Sequence, residues 1–539
     1  MPHVIHGSDR RPLVSGRLLF DEADQLSVIV PASCKRTGRC HECVIEVRSG
    51  GDQLSARSAE EAFLGPVFRL ACQAWVERAE RDIEFAVLRR RLRILLAPEA
   101  EAPVAETDPV VRIEDGRYLA DDGSDLGPAR GRPVGVALDI GTTTVVLELV
   151  DLEHGDVLAV AALENPQRFG GSDVMTRISY DGEVPGELRL ALRRALNHEL
   201  KRLCLELGID RRRLVDAFVV GNPTMRDLFF GLDVHPIGRI PYRSVTETAV
   251  RDGHAETSTV VRRAYELGLL INPQARVTGG PLIASHVGAD AAADLVAVDA
   301  VARGGSFLLV DIGTNSEIVA SDGERILAAS SPAGPAFEGG GVRYGMPGAD
   351  GAIEAVRLVE GVFEIRTIGD AEPEGICGSG LVDLLAELRR ADWMSTRGSF
   401  ADRAHEVIVV PEWPITLSRS DVGHLSIAKA ATAVGQRVLL RLLGLRPEGL
   451  DHVYLAGGFA NAIDVGSAID IGLLVPVPED RVERVGNASI TGARTLLLRR
   501  DRRAGLERLV AGIRHVELES EPDFFDMFTD GCLFEPIAV

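Results

Sequence analysis

The stretch VGVALDIGTTT at Val134–Thr144 ends in a motif that returns further along the chain as LLVDIGTN at Leu308–Asn315. In both copies a continuous apolar run, typical of a strand buried on both faces, leads into Asp-Ile-Gly-Thr. One copy alone is also what an ordinary strand followed by a tight turn would show. The repeat therefore predicts a chain with two matched α/β halves.

Each of the two turns carries groups that suit a phosphate. Gly141 and Gly313 permit a positive φ and a close backbone approach, so that successive N–H groups can face an anion. Additional hydroxyl donors are Thr142, Thr143 and Thr314. Asp139 and Asp311 would face the same anion, and a carboxylate beside a phosphate requires a hard cation such as Mg²⁺ between them.

Two further strand ends extend this predicted site. The second turn continues into Asn315 and Glu317, and a third apolar strand at His452–Ala460 contains Gly457-Gly458, a backbone that can lie flat against a base or a ribose. Two phosphate turns and one glycine platform resemble the superfamily of actin, sugar-kinase and heat-shock-chaperone ATPases. That resemblance implies a duplicated, ribonuclease H-like α/β fold with ATP between the halves.

Further stretches have features of functional sites. The strand Ala217–Val220 ends in Gly221–Met225, a polar strand end where a βα loop would face the cleft. The Gly- and Pro-rich stretch Ser330–Gly351 is long enough to be functional, although a plain surface connection would look similar. Its most reactive members are Glu338 and Arg343. The Gly-Ser-Gly of Ile376–Asp383 stands at a predicted helix start, a common anion site, and Gly288 would permit close packing at the base of the cleft.

Composition excludes several classes of protein. The chain of 539 residues has a formal net charge of −21 at pH 7, which opposes binding to nucleic acid. Its three lysines lie outside any GxxxxGK motif, so it is not a P-loop ATPase. No apolar stretch is long enough to cross a membrane, and no secretory signal is visible. The sequence therefore predicts a cytoplasmic protein.

Four cysteines near the N-terminus form a separate pattern. Cys34, Cys40 and Cys43 are spaced C-x5-C-x2-C, and Cys72 follows in the segment FRLACQ. This is one residue longer than the plant-type 2Fe-2S spacing. A zinc site, the alternative, more often uses two C-x2-C or Cys/His pairs. Strands are expected around these cysteines at Leu26–Val30, Val44–Val47 and Asp82–Val87.

Charged and aromatic neighbours accompany the cysteines. His41 lies between two of them and is expected to point away from the metal. Lys35, Arg36 and Arg39 either stabilise a reduced cluster and dock an acidic partner, or are simply solvated.

A semi-stiff linker is predicted at Leu96–Asp108. The proposed domains are 1–92 as a ferredoxin-type domain, 93–132 as a linker, and 133–539 as a two-lobed ATPase domain.

Taken together, these motifs resemble the reductive activators of corrinoid enzymes. The resemblance rests on the C-x5-C-x2-C…LACQ module followed by ALDIGTTTVV, ENPQRFGGSDVMTRI, VVGNPTM, PLIASHVGAD, LVDIGTNSE, PAGPAFEGGG, ICGSGLVDLL and LAGGFAN. It implies a β-grasp ferredoxin domain with a 2Fe-2S cluster on the four cysteines, fused to an ATPase core. The family uses ATP to return an inactive Co(II) corrinoid to Co(I).

The resemblance also implies the partners. They are a corrinoid protein or a cobalamin-dependent methyltransferase such as methionine synthase, and an upstream reductase or ferredoxin as electron donor; a homodimer is compatible with it. Asp139, Asp311, Glu317 and Glu338 are the candidate catalytic residues. A middle domain that family members often carry is expected to be reduced or absent, because only some thirty residues separate the linker from the first strand.

Two other functions share the same motifs. A redox-regulated small-molecule kinase would phosphorylate a product without a corrinoid protein, and a nucleotide-gated iron–sulfur scaffold would bind without transferring electrons. Neither needs a low-potential electron, which is why the activator is preferred. Within it, Ser330 and Ser331 are hypothesised to approach cobalt.

Overall fold

The computed structural model describes residues 2–87 and 107–538, apart from 8, 27, 29, 31–33, 285, 414 and 459. Apart from residues 107 and 108, the linker predicted at Leu96–Asp108 lies outside the described residues. Residue contacts divide the chain into two compact units, one of Met1–Arg91 with Leu163–Glu199, the other of Leu92–Ala162 with Leu200–Val539. The stretch 163–199 thus belongs to the same unit as the cysteine-containing domain.

In its described residues, the N-terminal domain is a five-stranded sheet with one short α-helix. Its elements are β1 His3–His6, β2 Asp9–Pro12, α1 Leu19–Gln25, β3 Val44–Ser49, β4 Phe68–Leu70 and β5 Ile83–Val87. The strand order is β2-β1-β5-β3-β4, with β1 parallel to β5 and the remaining pairs antiparallel. Buried Val4, Leu19, Ile45, Leu70 and Phe85 form its interior.

Two of the three strands predicted around the cysteines are confirmed, as β3 and β5. The strand predicted at Leu26–Val30 is wrong for the residues described there. Leu26 closes the end of α1 by donating its N–H to the carbonyls of Glu22 and Ala23, and Val28 and Val30 pair with no strand. Leu26 and Val30 are buried and Val28 is half-buried, so at these described positions the alternation reflected burial without strand pairing.

A small β-meander precedes the strand that carries the first Asp-Ile-Gly-Thr motif. Its strands are β6 Val111–Glu114, β7 Arg117–Ala120 and β8 Asp125–Pro128. All three strands pair antiparallel, β6 with β7 and β7 with β8. The hydroxyl of buried Tyr118 donates to the Gly131 carbonyl at 2.7 Å and so fixes the chain where it leaves the meander.

The first α/β half is built on the first copy of the repeated motif. Its elements are β9 Val134–Ile140, β10 Thr144–Asp151, β11 Val157–Glu164, α2 Val174–Glu183, α3 Glu187–Glu206, β12 Leu214–Val220, α4 Pro223–Phe230, α5 Val245–Arg251, β13 Val260–Arg263, α6 Ala264–Leu267, β14 Arg276–Gly279, α7 Ala289–Ala297 and α8 Ala300–Arg303. The sheet order is β11-β10-β9-β12-β14-β13. β10 runs antiparallel to β9, while β12 is parallel to both β9 and β14.

The second half repeats this plan. Its elements are β15 Phe307–Ile312, β16 Ser316–Ser321, β17 Ile326–Ser331, β18 Ala352–Val359, β19 Val362–Thr367, β20 Gly375–Ile376, α9 Gly378–Arg390, β21 Glu406–Val410, β22 Ile415–Ser418, α10 Arg419–Leu443, β23 His452–Ala456, α11 Val465–Asp470, β24 Val482–Gly486, α12 Ala488–Leu498, α13 Arg500–Gly512, β25 Ile513–His515 and α14 Phe524–Gly531. The sheet order β24-β23-β15-β16-β17-β25 places the second motif strand centrally, as in the first half. The predicted duplication is confirmed.

Helices α7 and α12 pack against each other between the two sheets. Gly492 of α12 allows this, because a Cβ there would stand 2.0 Å from the Ala293 carbonyl oxygen. Gly288, before α7, has the close packing expected of it, since a Cβ would stand 2.5 Å from the Gly221 carbonyl oxygen. None of the helices in the described part of the chain is long and apolar enough to cross a membrane.

Candidate functional site

A cleft in the second unit brings together every residue that the sequence assigned to the nucleotide. It is lined by Asp139, Gly141, Thr142, Thr143, Asp311, Gly313, Thr314, Asn315, Glu317, Glu338, Gly457 and Gly458. The residues meet because β9, β15 and β23 all end at this cleft. Residues that are more than 300 positions apart in the sequence meet here because the two halves face each other.

The two motif turns do not use the positive φ that glycine permits. Neither Gly141 nor Gly313 has a positive φ. Each turn instead joins two antiparallel neighbouring strands. At Gly141 the reason for glycine is close approach, because a Cβ would stand 2.6 Å from the Thr144 carbonyl oxygen.

A hydroxyl–carboxylate contact joins the two turns. The hydroxyls of Thr143 and Thr314 lie 2.8 Å apart, and Thr143 donates to Glu338 Oε2 at 3.0 Å. Thr314 donates to the same carboxylate oxygen. Glu338 therefore reaches both motif turns from the glycine-rich loop. Arg343, from the same loop, is directed elsewhere, toward Glu406 and the ring of Tyr344.

Five acidic side chains converge at the base of the cleft. Burial and repulsion from Asp290 raise the pKa of Asp311 to about 7, and burial raises the pKa of Asp139 to about 7. Burial also raises the pKa of Asp290 to about 6 and the pKa of Glu317 well above its usual value. Asp294 is fully buried behind them, with its pKa raised by burial and by the adjacent Asp311.

This donor set fits a hydrated Mg²⁺. Every group is a carboxylate, which is the ligand type that hard cations prefer. In the described part of the chain no three of these carboxylates offer oxygens within 4.8 Å of one another. Direct binding by the whole cluster is thus disfavoured, whereas Mg²⁺ usually keeps several waters and takes one or two carboxylates.

Several residues that shape this cleft were not among the predicted site residues, although the loop Gly221–Met225, which holds Asn222, was expected to face it. Asp290 and Asp294 lie one turn apart on α7. The side-chain amides of Asn222 and Asn487 donate to Thr142 Oγ1 and to Asp139 Oδ2, each at 3.0 Å. Ser489 donates to Asp294 Oδ1 at 2.8 Å. The Asx cap before a helix, as in GNPT and GNAS, was the available signal for the two asparagines.

The two glycines of the predicted platform have different surroundings. Gly457 has φ +117°, and a Cβ on it would stand 2.3 Å from the Ile312 carbonyl oxygen. Gly458 is exposed to the cleft with no atom near its missing Cβ. Gly457 is therefore required by the fold, while Gly458 leaves open space for a ligand.

The serines hypothesised to approach cobalt differ in accessibility. Ser330 is half-buried at the end of β17 and donates to Glu317 Oε1 at 3.2 Å. Ser331 is buried, with 2% of its surface exposed. Ser331 cannot contact a bound partner in this arrangement, so the hypothesis holds at most for Ser330.

The four N-terminal cysteines come together in the first unit as two pairs. Cys40, Cys43 and Cys72 are buried and Cys34 is half-buried. Burial opposes the change, but hydrogen bonds from Thr37 and Cys40 lower the pKa of Cys34 to about 6. The contact with Cys43 lowers the pKa of Cys72 to about 6. The pairs are thus Cys34 with Cys40 and Cys43 with Cys72.

This pairing fits a two-iron cluster better than a zinc ion. A single tetrahedral ion would bring three or more sulfurs together around one point. Within the described residues no three of these sulfurs lie within 4.8 Å of one another. Two pairs of thiols are what two bridged irons require. The Gln73 amide donates a hydrogen bond to Cys72 Sγ at 3.4 Å.

His41 and the basic residues of the cysteine loop have distinct environments. His41 Nδ1 lies 2.9 Å from Glu187 Oε2 and its ring stacks on Phe63. It points away from the thiols, as expected. Arg36 pairs with Asp21 and Asp24 of α1. Lys35 and Arg39 remain exposed.

Comparison with known proteins accounts for both units. Family models match three stretches: a 2Fe-2S iron–sulfur cluster binding domain at 6–77, a RACo middle region at 134–301, and the C-terminal ASKHA domain of RACo at 306–537. The corrinoid activation enzyme RamQ of Eubacterium limosum is 32% identical over 430 residues, which cover 74% of this chain and 70% of RamQ.

The chain belongs to the reductive activators of corrinoid enzymes. A second relative, the [Co(II) methylated amine-specific corrinoid protein] reductase of Methanosarcina barkeri, is 25% identical over 68% of this chain and 70% of its own. The solved structure of a reductive activator for a corrinoid, iron–sulfur protein superposes with a TM-score of 0.74, at 27% identity and 99% coverage of both chains. The fold is therefore a ferredoxin domain followed by an actin- and sugar-kinase-like domain.

One match bears on the domain organisation of this activator. By its description, a middle region is present at 134–301, inside the part that the sequence analysis assigned to the first ATPase half. The expected reduction of a middle domain concerned only the stretch before residue 133, whereas the matched middle region begins at residue 134. The three boundaries drawn from the sequence stay predictions.

Proposed function

We propose that this protein is an ATP-dependent reductive activator, which delivers single electrons through a 2Fe-2S cluster to the Co(II) corrinoid of a partner protein and returns it to Co(I). The observation that carries the proposal is the pairing of the four thiols in a chain that also holds a carboxylate-lined nucleotide cleft. Its family membership supports the same function.

The proposed roles follow from the contacts of each residue. Cys34, Cys40, Cys43 and Cys72 would hold the cluster, which supplies one-electron transfer when bound. In the cleft, hydroxyls and backbone N–H groups of the two turns would bind phosphate oxygens. The residues proposed to act on the nucleotide and its Mg²⁺ are Asp139, Asp311, Glu317 and Glu338, and those proposed to bind it are Gly141, Thr142, Thr143, Gly313, Thr314, Asn315, Gly457 and Gly458.

ATP is proposed because the electron transfer is uphill. Plant-type clusters have potentials near −400 mV, and Co(II) in a corrinoid is harder to reduce. Each 59 mV of a one-electron gap corresponds to about 1.4 kcal/mol. Nucleotide binding between the halves would favour a partner-bound state in which cobalt is easier to reduce, and hydrolysis would release the product.

The partners and location proposed from the sequence go with this function. They are a corrinoid protein or a cobalamin-dependent methyltransferase, an upstream reductase or ferredoxin, and a second copy of the chain as a homodimer. A cytoplasmic location remains a prediction.

The decisive experiment is an anaerobic absorption assay. Protein with a reconstituted cluster is mixed with reductant, Mg-ATP and each Co(II) corrinoid protein of the organism. Appearance of Co(I) that requires ATP would establish the function and identify the partner. No Co(I) with any corrinoid protein, in a preparation with full cluster content, would overturn it; phosphorylation of a small molecule would then favour the kinase, and ATP binding alone the scaffold.

A further inference from the structure

A stretch from the first α/β half packs against the cluster-binding domain. Residues 163–199 belong to the same compact unit as the first 91 residues, although the two are far apart in the chain. The stretch comprises the end of β11, a 3₁₀ turn at Pro166–Gly170, α2 and the beginning of α3. We call residues 163–199 the dock.

The dock contacts the backbone of the cysteine loop directly. Arg194 of α3 donates through its guanidinium to the carbonyl oxygen of Cys40. One residue further, His41 Nδ1 lies 2.9 Å from Glu187 Oε2, at the start of the same helix. His41 has φ +54°, a conformation that side-chain-bearing residues rarely adopt. Its conformation therefore depends on contacts such as the one with Glu187.

An aromatic cluster supports these polar contacts. His41 stacks on Phe63 at 4.1 Å between ring centroids, and Phe63 meets Phe169 of the dock edge-on at 5.8 Å. Phe169 packs edge-on against Tyr180 at 5.5 Å, and the Tyr180 hydroxyl donates to the Phe63 carbonyl at 2.6 Å. At the margin, Arg168 pairs with Glu46 of β3. An apolar centre with charged pairs at its rim is the usual anatomy of a specific protein interface.

We propose that residues 163–199 are an intramolecular dock for the ferredoxin domain, in which Glu187 and Arg194 position the cluster-binding loop and set the reduction potential of the cluster. The inference rests on the cluster assignment within the proposed function. A guanidinium at the Cys40 peptide places positive charge beside the ligands, and positive charge favours the more negative, reduced state of the cluster. Lys35, Thr37 and Arg39, on the other part of the loop, are exposed and left for an external partner.

The test uses the full-length protein with a reconstituted cluster. The cluster potential is measured by redox titration followed by electron paramagnetic resonance, and amide hydrogen exchange is measured over residues 40–49 and 174–194. In Arg194→Gln we expect the equilibrium constant for reduction to fall roughly tenfold, which is about 59 mV for a one-electron centre. Arg194→Lys, which keeps the charge, should recover most of it.

Glu187→Gln and Tyr180→Phe test the dock itself. Both should increase exchange at least tenfold in residues on each side of the contact. Glu183→Gln is the matched control, since Glu183 is an exposed acidic residue of the dock and should leave both readouts unchanged. If Arg194→Gln fails to assemble its cluster, amide hydrogen exchange in Tyr180→Phe still tests the contact between the dock and the cysteine loop.

An unchanged potential in Arg194→Gln, or unchanged exchange in both Glu187→Gln and Tyr180→Phe, would overturn the proposal. These measurements need neither ATP nor a corrinoid protein. A dock that behaves as expected in a protein that never forms Co(I) would refute the proposed function alone. A protein that forms Co(I) with no dock effect would refute the dock alone.

Discussion

At the scale of single residues, burial raises the pKa of ionisable groups in both sites, but hydrogen bonds outweigh it at the thiols. The thiols of Cys34 and Cys72 are held with pKa values of about 6 by neighbouring hydrogen bonds, so they are ready to bind metal as thiolates. The cleft carboxyls instead have raised pKa values, because burial and mutual repulsion disfavour their charged forms. A bound cation would reverse that preference.

Removing one proposed cluster ligand should affect the cluster without affecting nucleotide binding. In Cys72→Ser we expect loss of the visible cluster spectrum and at least a hundredfold loss of electron delivery, while nucleotide affinity stays within about twofold, because Cys72 lies in the first unit and the cleft in the second. Absorption spectroscopy and calorimetric nucleotide titration measure both. Cys532→Ser is the control; concurrent loss of nucleotide binding in Cys72→Ser would indicate a folding role.

The raised pKa of Asp139 predicts a pH-dependent stability. Its folded value of about 7 lies above the unfolded value of about 3.9, so the stability present below pH 4 is lost as the pH rises toward 7. Without metal or nucleotide, the wild type should lose up to about 1.4 kcal/mol per pH unit relative to Asp139→Asn in that window. Denaturant titrations at pH 5, 6, 7 and 8 measure the difference.

The control for this measurement is Asp526→Asn, at an exposed carboxyl on α14. This variant removes one carboxyl outside the cleft, so it shows the effect of losing a negative charge elsewhere on the surface. A constant difference for Asp139→Asn would show that this carboxyl is already ionised in the folded protein.

At the scale of elements, the pair α7 and α12 organises the base of the cleft. The two helices carry Asp290, Asp294 and Ser489, and α12 is capped by Asn487, whose amide also holds Asp139. Each helix follows a strand end of its own half. Their close crossing brings side chains from both halves to one point, which neither half could do alone.

A methyl group at this crossing tests the arrangement. In Gly492→Ala the new Cβ would stand 2.0 Å from the Ala293 carbonyl oxygen, so the helices must separate. We expect a loss of about 1–3 kcal/mol in the free energy of unfolding and weaker nucleotide binding. Chemical denaturation and nucleotide titration measure the two effects.

Gly505→Ala, on α13, is the matched control. No atom lies within 4 Å of its added Cβ, so the better helix propensity of alanine should stabilise the protein by up to about 1 kcal/mol. Equal behaviour of the two variants would mean that the crossing is not tightly packed.

At the scale of the whole molecule, the two compact units predict separable responses to ligands. Only the second unit contains the cleft, so Mg-ADP should stabilise that unit by about 2.7 kcal/mol at a concentration of 100 times Kd. Scanning calorimetry should show an upward shift of one transition. Chelation of Mg²⁺ should remove most of it, because five acidic side chains otherwise repel the nucleotide.

The matched comparison is ADP with excess chelator on the wild type. An equal shift with and without Mg²⁺ would show that the carboxylates do not act through a cation. A shift of every transition by the same amount would show that the two units unfold together.

The sequence by itself determined the parts whose chemistry is local. A repeated apolar strand ending in Asp-Ile-Gly-Thr was enough for the duplicated sheets, because a buried strand must be apolar and its end must turn. Cysteine spacing was enough to favour a 2Fe-2S cluster, because a loop of fixed length limits which ligands can reach two irons. These signals need only neighbouring residues.

Only the tertiary structure decided what depends on distant residues meeting. Asp290, Asp294 and Asn487 belong to the cleft because α7 and α12 cross there, and nothing adjacent in the chain indicates that crossing. The described residues of the alternating run Leu26–Val30 form no strand, because hydrophobic alternation reports burial and not hydrogen bonding. The dock at 163–199 packs against a domain that ends more than seventy residues earlier, and its contacts are set by three-dimensional packing.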